Sequence, residues 1–65
     1  MKNITKHIES LHAELLANKG IVPDSWKPYI HLIEALLSIA KLFTNDKVDA
    51  IIDEILAAIK LLENA

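Results

Sequence analysis

The chain has no cysteine and no arginine, and its 65 residues include one glycine, two prolines and three aromatic side chains. The missing cysteine excludes disulfides and thiolate metal sites. A single glycine leaves no glycine-rich loop to hold a phosphate. Without arginine, and with a net charge of −2, no basic patch is available for nucleic acid or anionic lipid. We therefore expect neither nucleotide chemistry nor a nucleic-acid partner.

Long hydrophobic runs are missing as well. The longest uninterrupted apolar stretch is Ile55–Ile59, whereas roughly 20 apolar residues are needed to span a bilayer. At the N-terminus, no hydrophobic signal region follows the lysines of Met1–His7. These absences predict a cytoplasmic protein with no membrane span.

The length predicts one helical domain over residues 1–65. A chain this small buries little surface and is marginal on its own. Such scaffolds are usually stabilised by disulfides, a metal, dense helix packing or oligomerisation. Since cysteine is missing and 52% of the residues are hydrophobic, we expect dense packing and association with another chain.

Hydrophobic periodicity predicts three helices, at about residues 4–18, 28–43 and 46–63. In helix one, apolar residues recur at steps of four, three and four, which is a narrow seam. Gly20 is the expected left-handed stop after helix one, and Pro28 fits the first turn of helix two. Thr44 to Asp46 predict a tight break and an N-cap for helix three. The seam of helix one consists of Ile4, Ile8, Leu11 and Leu15, and the face of helix three consists of Val48, Ile51, Ile52, Ile55, Ile59 and Leu62.

These elements predict an all-α fold, an antiparallel three-helix bundle. The connection between helices one and two is unusually apolar for a loop. We interpret Ile21, Val22 and Trp26 as a plug across one end of the bundle. Trp26 has a second interpretation, as an anchor for a partner, because tryptophan is enriched at interface hot spots.

The second predicted helix is apolar on almost every side. Its polar residues His31, Glu34, Ser38 and Lys41 project into one stripe roughly 80° wide, at about 100° per residue. The remaining 260° or so exceeds what two neighbouring helices can cover, and an apolar face left in water is unfavourable. We therefore predict a homo-oligomer, most simply a two-fold dimer, in which this stripe faces water.

The candidate chemical sites are weak. Glu9 and His12 have the Glu-x-x-His spacing of di-iron bundles, but Glu9 lies far from the inward seam of helix one. His7, His12 and His31 do not form a zinc-binding pattern. Three acids on helix three suit the helix dipole and solvent: Asp46, Asp49 and Asp53. We expect no enzyme activity, no cofactor and no metal.

The sequence thus predicts a small non-enzymatic interaction module that acts as an adaptor, inhibitor or assembly factor. It would associate with its own copy, or with another protein, through the apolar face of helix two. A hydrophobic-ligand or lipid carrier with an apolar cavity in the oligomer is the alternative. An engineered helical bundle is a further alternative, although the irregular connection at residues 21–28 counts against it. The predicted contact residues are Trp26, Leu32, Leu36, Ile39 and Phe43.

Overall fold

The computed structural model of the chain describes the backbone of residues 2–64 and the side chains of residues 4–64. It contains α1 (Lys2–Ala17), a 3-10 helix (Asp24–Tyr29), α2 (Ile30–Ala40) and α3 (Asp46–Glu63). Residues 2–64 contain no strand, so the all-α prediction of three packed helices is confirmed. None of the helices described here is long and apolar enough to cross a membrane.

The core is built around α3, which packs against both α1 and α2. Its Ile52, Ile55 and Ile59 are completely buried. From α1, Ile8 and Leu15 enter the same core, with Ile4 and Leu11 partly buried beside them. The predicted inward faces of helices one and three are therefore confirmed, and they meet in one apolar cluster. α2 contributes Leu37 and Ala40 to that cluster.

The link between α2 and α3 is short, and the two helices run antiparallel. Asn45 caps α3, because its side-chain oxygen accepts a hydrogen bond from the Val48 amide at 3.0 Å. The farther a contact between α2 and α3 lies from the turn, the larger the sequence separation of its two residues. Thr44 donates to the Asp49 carboxylate, and Lys41 donates to Asp53 one turn further along.

Helix two is shorter than predicted at both ends. Pro28 lies inside the 3-10 helix rather than in the first turn of α2. At the other end, the amides of Leu42 and Phe43 donate to carbonyls three residues earlier, at Ile39 and Ala40. Such bonds tighten the final turn and end the regular α-helix. Residues 41–43 therefore form a turn, so the predicted bounds of 28–43 were too wide.

The connection after α1 closes one end of the core, as predicted for two of its three apolar residues. Val22 and Trp26 are each only 4% exposed, whereas Ile21 is 64% exposed and the prediction was wrong for it. The Trp26 indole Nε1 donates a 2.8 Å hydrogen bond to Glu14 on α1. This bond satisfies the polar edge of the buried ring and ties the connection to α1.

The stop after α1 is placed one residue earlier than predicted. The Gly20 amide donates to the Leu15 carbonyl at 2.8 Å, and the Lys19 amide donates to Leu16 at 3.1 Å. These two bonds form the Schellman pattern, in which the residue before the last donor is left-handed. That residue is Lys19, with φ at 61°, and Gly20 follows with φ at 78°. A lysine thus occupies the position where glycine is favoured.

We expect Lys19→Gly to stabilise the protein by about 0.5–1 kcal/mol, because it removes the steric cost of a left-handed lysine. Urea unfolding followed by the fluorescence of Trp26, the sole tryptophan, measures this change. Lys6→Gly is the matched control at an exposed position inside α1. It should destabilise by about 1 kcal/mol. Loss of stability in both variants would refute the strain at Lys19.

Candidate interaction surface

Four of the five predicted contact residues form one exposed row on α2 and the turn that follows it. We call Leu32, Leu36, Ile39 and Phe43 the α2 seam. Their exposed fractions are 58%, 54%, 55% and 63%. Within α2, the spacing of four and three places Leu32, Leu36 and Ile39 in a stripe roughly 60° wide, and Phe43 follows in the turn. This is the spacing of the contact positions in a coiled coil.

Two further apolar side chains extend the exposed area. Tyr29, the last residue of the 3-10 helix, is 60% exposed, and Leu42 in the turn after α2 is 79% exposed. Neither was among the predicted contact residues. A contiguous apolar patch of this kind commonly marks an interaction site. Trp26, the fifth predicted residue, lies in the core instead and offers no surface to a partner.

An open apolar groove lies beside the α2 seam, between α1 and α2. Its volume is about 390 Å³. Leu36 belongs to both the seam and the groove wall, so the two features form one continuous surface. The groove is lined from α1 by Ile4, His7, Ile8 and Leu11, and from α2 by Ile33, Leu36, Leu37 and Ala40.

The polar stripe of α2 does not simply face water, which corrects the prediction. Lys41 Nζ donates to Asp53 on α3 at 2.6 Å, and the Glu34 side chain is only 28% exposed. Glu34, Ser38 and Lys41 therefore line a polar seam against α3, whereas the His31 side chain is 88% exposed. α2 thus places part of its polar side against α3, buries Leu37 and Ala40 in the core, and leaves the α2 seam exposed.

Glu34 lies at one end of this polar seam, beside a second carboxylate. Burial raises the pKa of Glu34 above its usual value, and the neighbouring carboxylate of Glu63 raises that pKa further. His31 and Lys60 act in the opposite direction. Donor atoms of His31, Glu34 and Glu63 lie within 4.8 Å of one another. Among the described residues, these three side chains are the group whose donor atoms lie close enough together to hold a metal ion.

The candidate pair of Glu9 and His12 does not form a metal site. His12 turns towards α3 and its Nε2 hydrogen-bonds to Glu54, while Glu9 is exposed on α1. The Glu9 and His12 pair therefore does not converge on a metal. His12 instead links α1 to α3 at the edge of the core.

No protein family, curated protein or solved structure matches the chain. The chemistry of the exposed surface is aliphatic and aromatic, and its nearest polar group on the groove wall is His7. Such a surface suits contact with another apolar surface.

The raised pKa of Glu34 predicts a pH dependence. A carboxyl that binds its proton more tightly in the folded state stabilises the fold at low pH. That contribution is lost as pH rises from the unfolded pKa, near 4.5, through the raised pKa of the folded state. Glu34→Gln should therefore gain stability over the parent as pH increases from 4.5 to 7. Urea midpoints in a chelating buffer measure the difference. Glu9→Gln, on exposed α1 surface, is the control, and a gain that shrinks towards pH 7 would contradict the prediction.

Proposed function

We propose that this chain is a cytoplasmic, non-enzymatic interaction module that associates with a second copy of itself through the α2 seam. The observation that carries the proposal is the exposure of four large apolar side chains at coiled-coil spacing. Burying them is favourable by roughly 25 cal/mol per Å² of apolar surface. An adaptor, inhibitor or assembly factor is the class of protein that such a module suits.

A two-fold dimer is the simplest arrangement of this seam. In an isologous contact the same patch serves both subunits, so one row of apolar residues is sufficient for both. The α2 seam meets that requirement because Leu36 and Ile39 lie at its centre, with Leu32 and Phe43 at its ends. Packing α2 against its copy would also bring Tyr29 and Leu42 towards the contact.

The packing inside the chain supports an external partner for α2. Leu37 and Ala40 already fill the side of α2 that faces the core, and its polar side is held by Lys41 and Asp53. The helix is therefore fixed in rotation, and turning it to hide the α2 seam would expose Leu37 and break this ion pair. This arrangement supports cover of the α2 seam by another molecule.

Leu36→Glu tests the dimer. We expect the parent to have about twice the chain mass of 7.3 kDa in light scattering at low micromolar concentration. The variant should be a folded monomer, because Leu36 is 54% exposed and a charge there disfavours association without disrupting the core. Circular dichroism and Trp26 fluorescence report whether the fold is retained.

Leu16→Glu is the matched control for this experiment. Leu16 is 61% exposed on α1, outside the groove lining, so its substitution should leave the dimer intact. A parent that is monomeric throughout the concentration range contradicts the proposal. Dissociation by both variants would assign the effect to added charge in general rather than to the α2 seam.

An apolar-ligand carrier is the second candidate, and the groove between α1 and α2 favours it. Its volume of about 390 Å³ falls within the range of small-molecule sites, roughly 300–1,000 Å³. All of its lining residues except His7 are apolar. A ligand such as a short acyl chain would suit these walls.

Native mass spectrometry separates the two candidates. The interaction module predicts a bare dimer, whereas the carrier predicts an additional mass that organic extraction removes. His7→Asp places a charge on the groove wall at an exposed position outside the α2 seam, and should weaken ligand retention while leaving the fold and the dimer intact. A bare parent chain under gentle ionisation would exclude the carrier.

A further inference from the structure

His31, Glu34 and Glu63 bring together three metal-ligating groups from two helices. His31 and Glu34 are three residues apart on α2 and therefore share one face. Glu63 is the last residue of α3, and the antiparallel arrangement brings it to the start of α2. One donor atom from each side chain lies within 4.8 Å of the others.

These separations suit a single small cation. Zinc binds imidazole nitrogen at about 2.0–2.1 Å and carboxylate oxygen at about 2.0–2.2 Å. In tetrahedral coordination two ligand atoms on one ion are therefore about 3.4 Å apart. Side-chain rotations that shorten the separations of up to 4.8 Å by about 1.4 Å or less would bring all three donors within bonding distance.

An unpartnered oxygen inside the cluster points to a ligand independently. Glu34 Oε1 is shielded from solvent and accepts no hydrogen bond. The nearby His31 Nδ1 is 3.7 Å away, which is too long for a hydrogen bond. A buried carboxylate oxygen without a donor is costly. A cation placed between His31 and Glu63 would satisfy that oxygen.

The charges of the cluster also favour a cation. Glu34 and Glu63 are like charges at close range, and Lys60 is the nearby positive side chain that offsets one of them. With His31 neutral, as a metal ligand must be, the surroundings keep a net negative charge.

We propose that His31, Glu34 and Glu63 bind one divalent first-row transition-metal ion, such as Zn²⁺, at the end of the bundle where α2 begins and α3 ends. One imidazole with two carboxylates suits zinc and its neighbours, whereas calcium requires six to eight oxygen ligands. Three protein ligands leave a position for water. The bound ion would join α2 to α3, and this site is separate from the α2 seam.

Isothermal titration of the untagged chain with Zn²⁺ tests the site. We expect one ion per chain, with Mg²⁺ and Ca²⁺ binding far more weakly. His31→Ala and Glu34→Gln should each weaken Zn²⁺ binding on the order of 100-fold or more, since loss of even an outer-sphere partner costs about 10- to 100-fold. Both positions lie outside the buried core, and circular dichroism confirms that the variants are folded.

His7→Ala is the matched control, because His7 is an exposed histidine on α1 outside the cluster. It should bind Zn²⁺ as the parent does. Thermal unfolding supplies a second readout, since a ligand of the folded state raises Tm. Zn²⁺ should raise the Tm of the parent and of His7→Ala but not of the two cluster variants. Binding that survives His31→Ala, or no Zn²⁺ binding by the parent at millimolar concentration, would overturn the proposal.

Discussion

The burial of one face of α3 is the constraint on which the rest of the molecule depends. Ile52, Ile55 and Ile59 are completely removed from water, and two other helices are needed to enclose them. α1 and α2 therefore turn their inner residues towards α3, and each packs on α3 more than on the other. The groove between α1 and α2 and the exposed side of α2 both follow from this geometry.

Most of the fold could be predicted from the sequence because its signals are local. The apolar steps of α1, the Asn45 cap and the inward face of α3 each depend on residues a few positions apart, and all three are confirmed. The errors occur where the chain changes direction. Whether Pro28 begins an α-helix or lies in a 3-10 helix depends on how the connection packs, and so does the exposure of Ile21.

The exposed apolar residues of α2 could also be predicted from the sequence. The excess of apolar residues on α2 identified Leu32, Leu36, Ile39 and Phe43, which the structure leaves exposed. Trp26 had two interpretations, and its burial confirms the plug rather than the partner anchor. Its hydrogen bond to Glu14, a contact across 12 positions, could not be predicted from local spacing. Glu63 could not be found either. It becomes a neighbour of Glu34 only when α2 and α3 run antiparallel, and no short-range pattern joins the two.

Leu36 belongs to the α2 seam and to the wall of the groove, and this double position has a thermodynamic consequence. A molecule in the groove and a second copy on the α2 seam would contact the same side chain. By linkage, the free energy by which a groove ligand changes self-association equals the free energy by which self-association changes ligand affinity. In the proposed assembly Leu36 would therefore couple the two equilibria, and a groove ligand that contacts it would shift the assembly state of the chain.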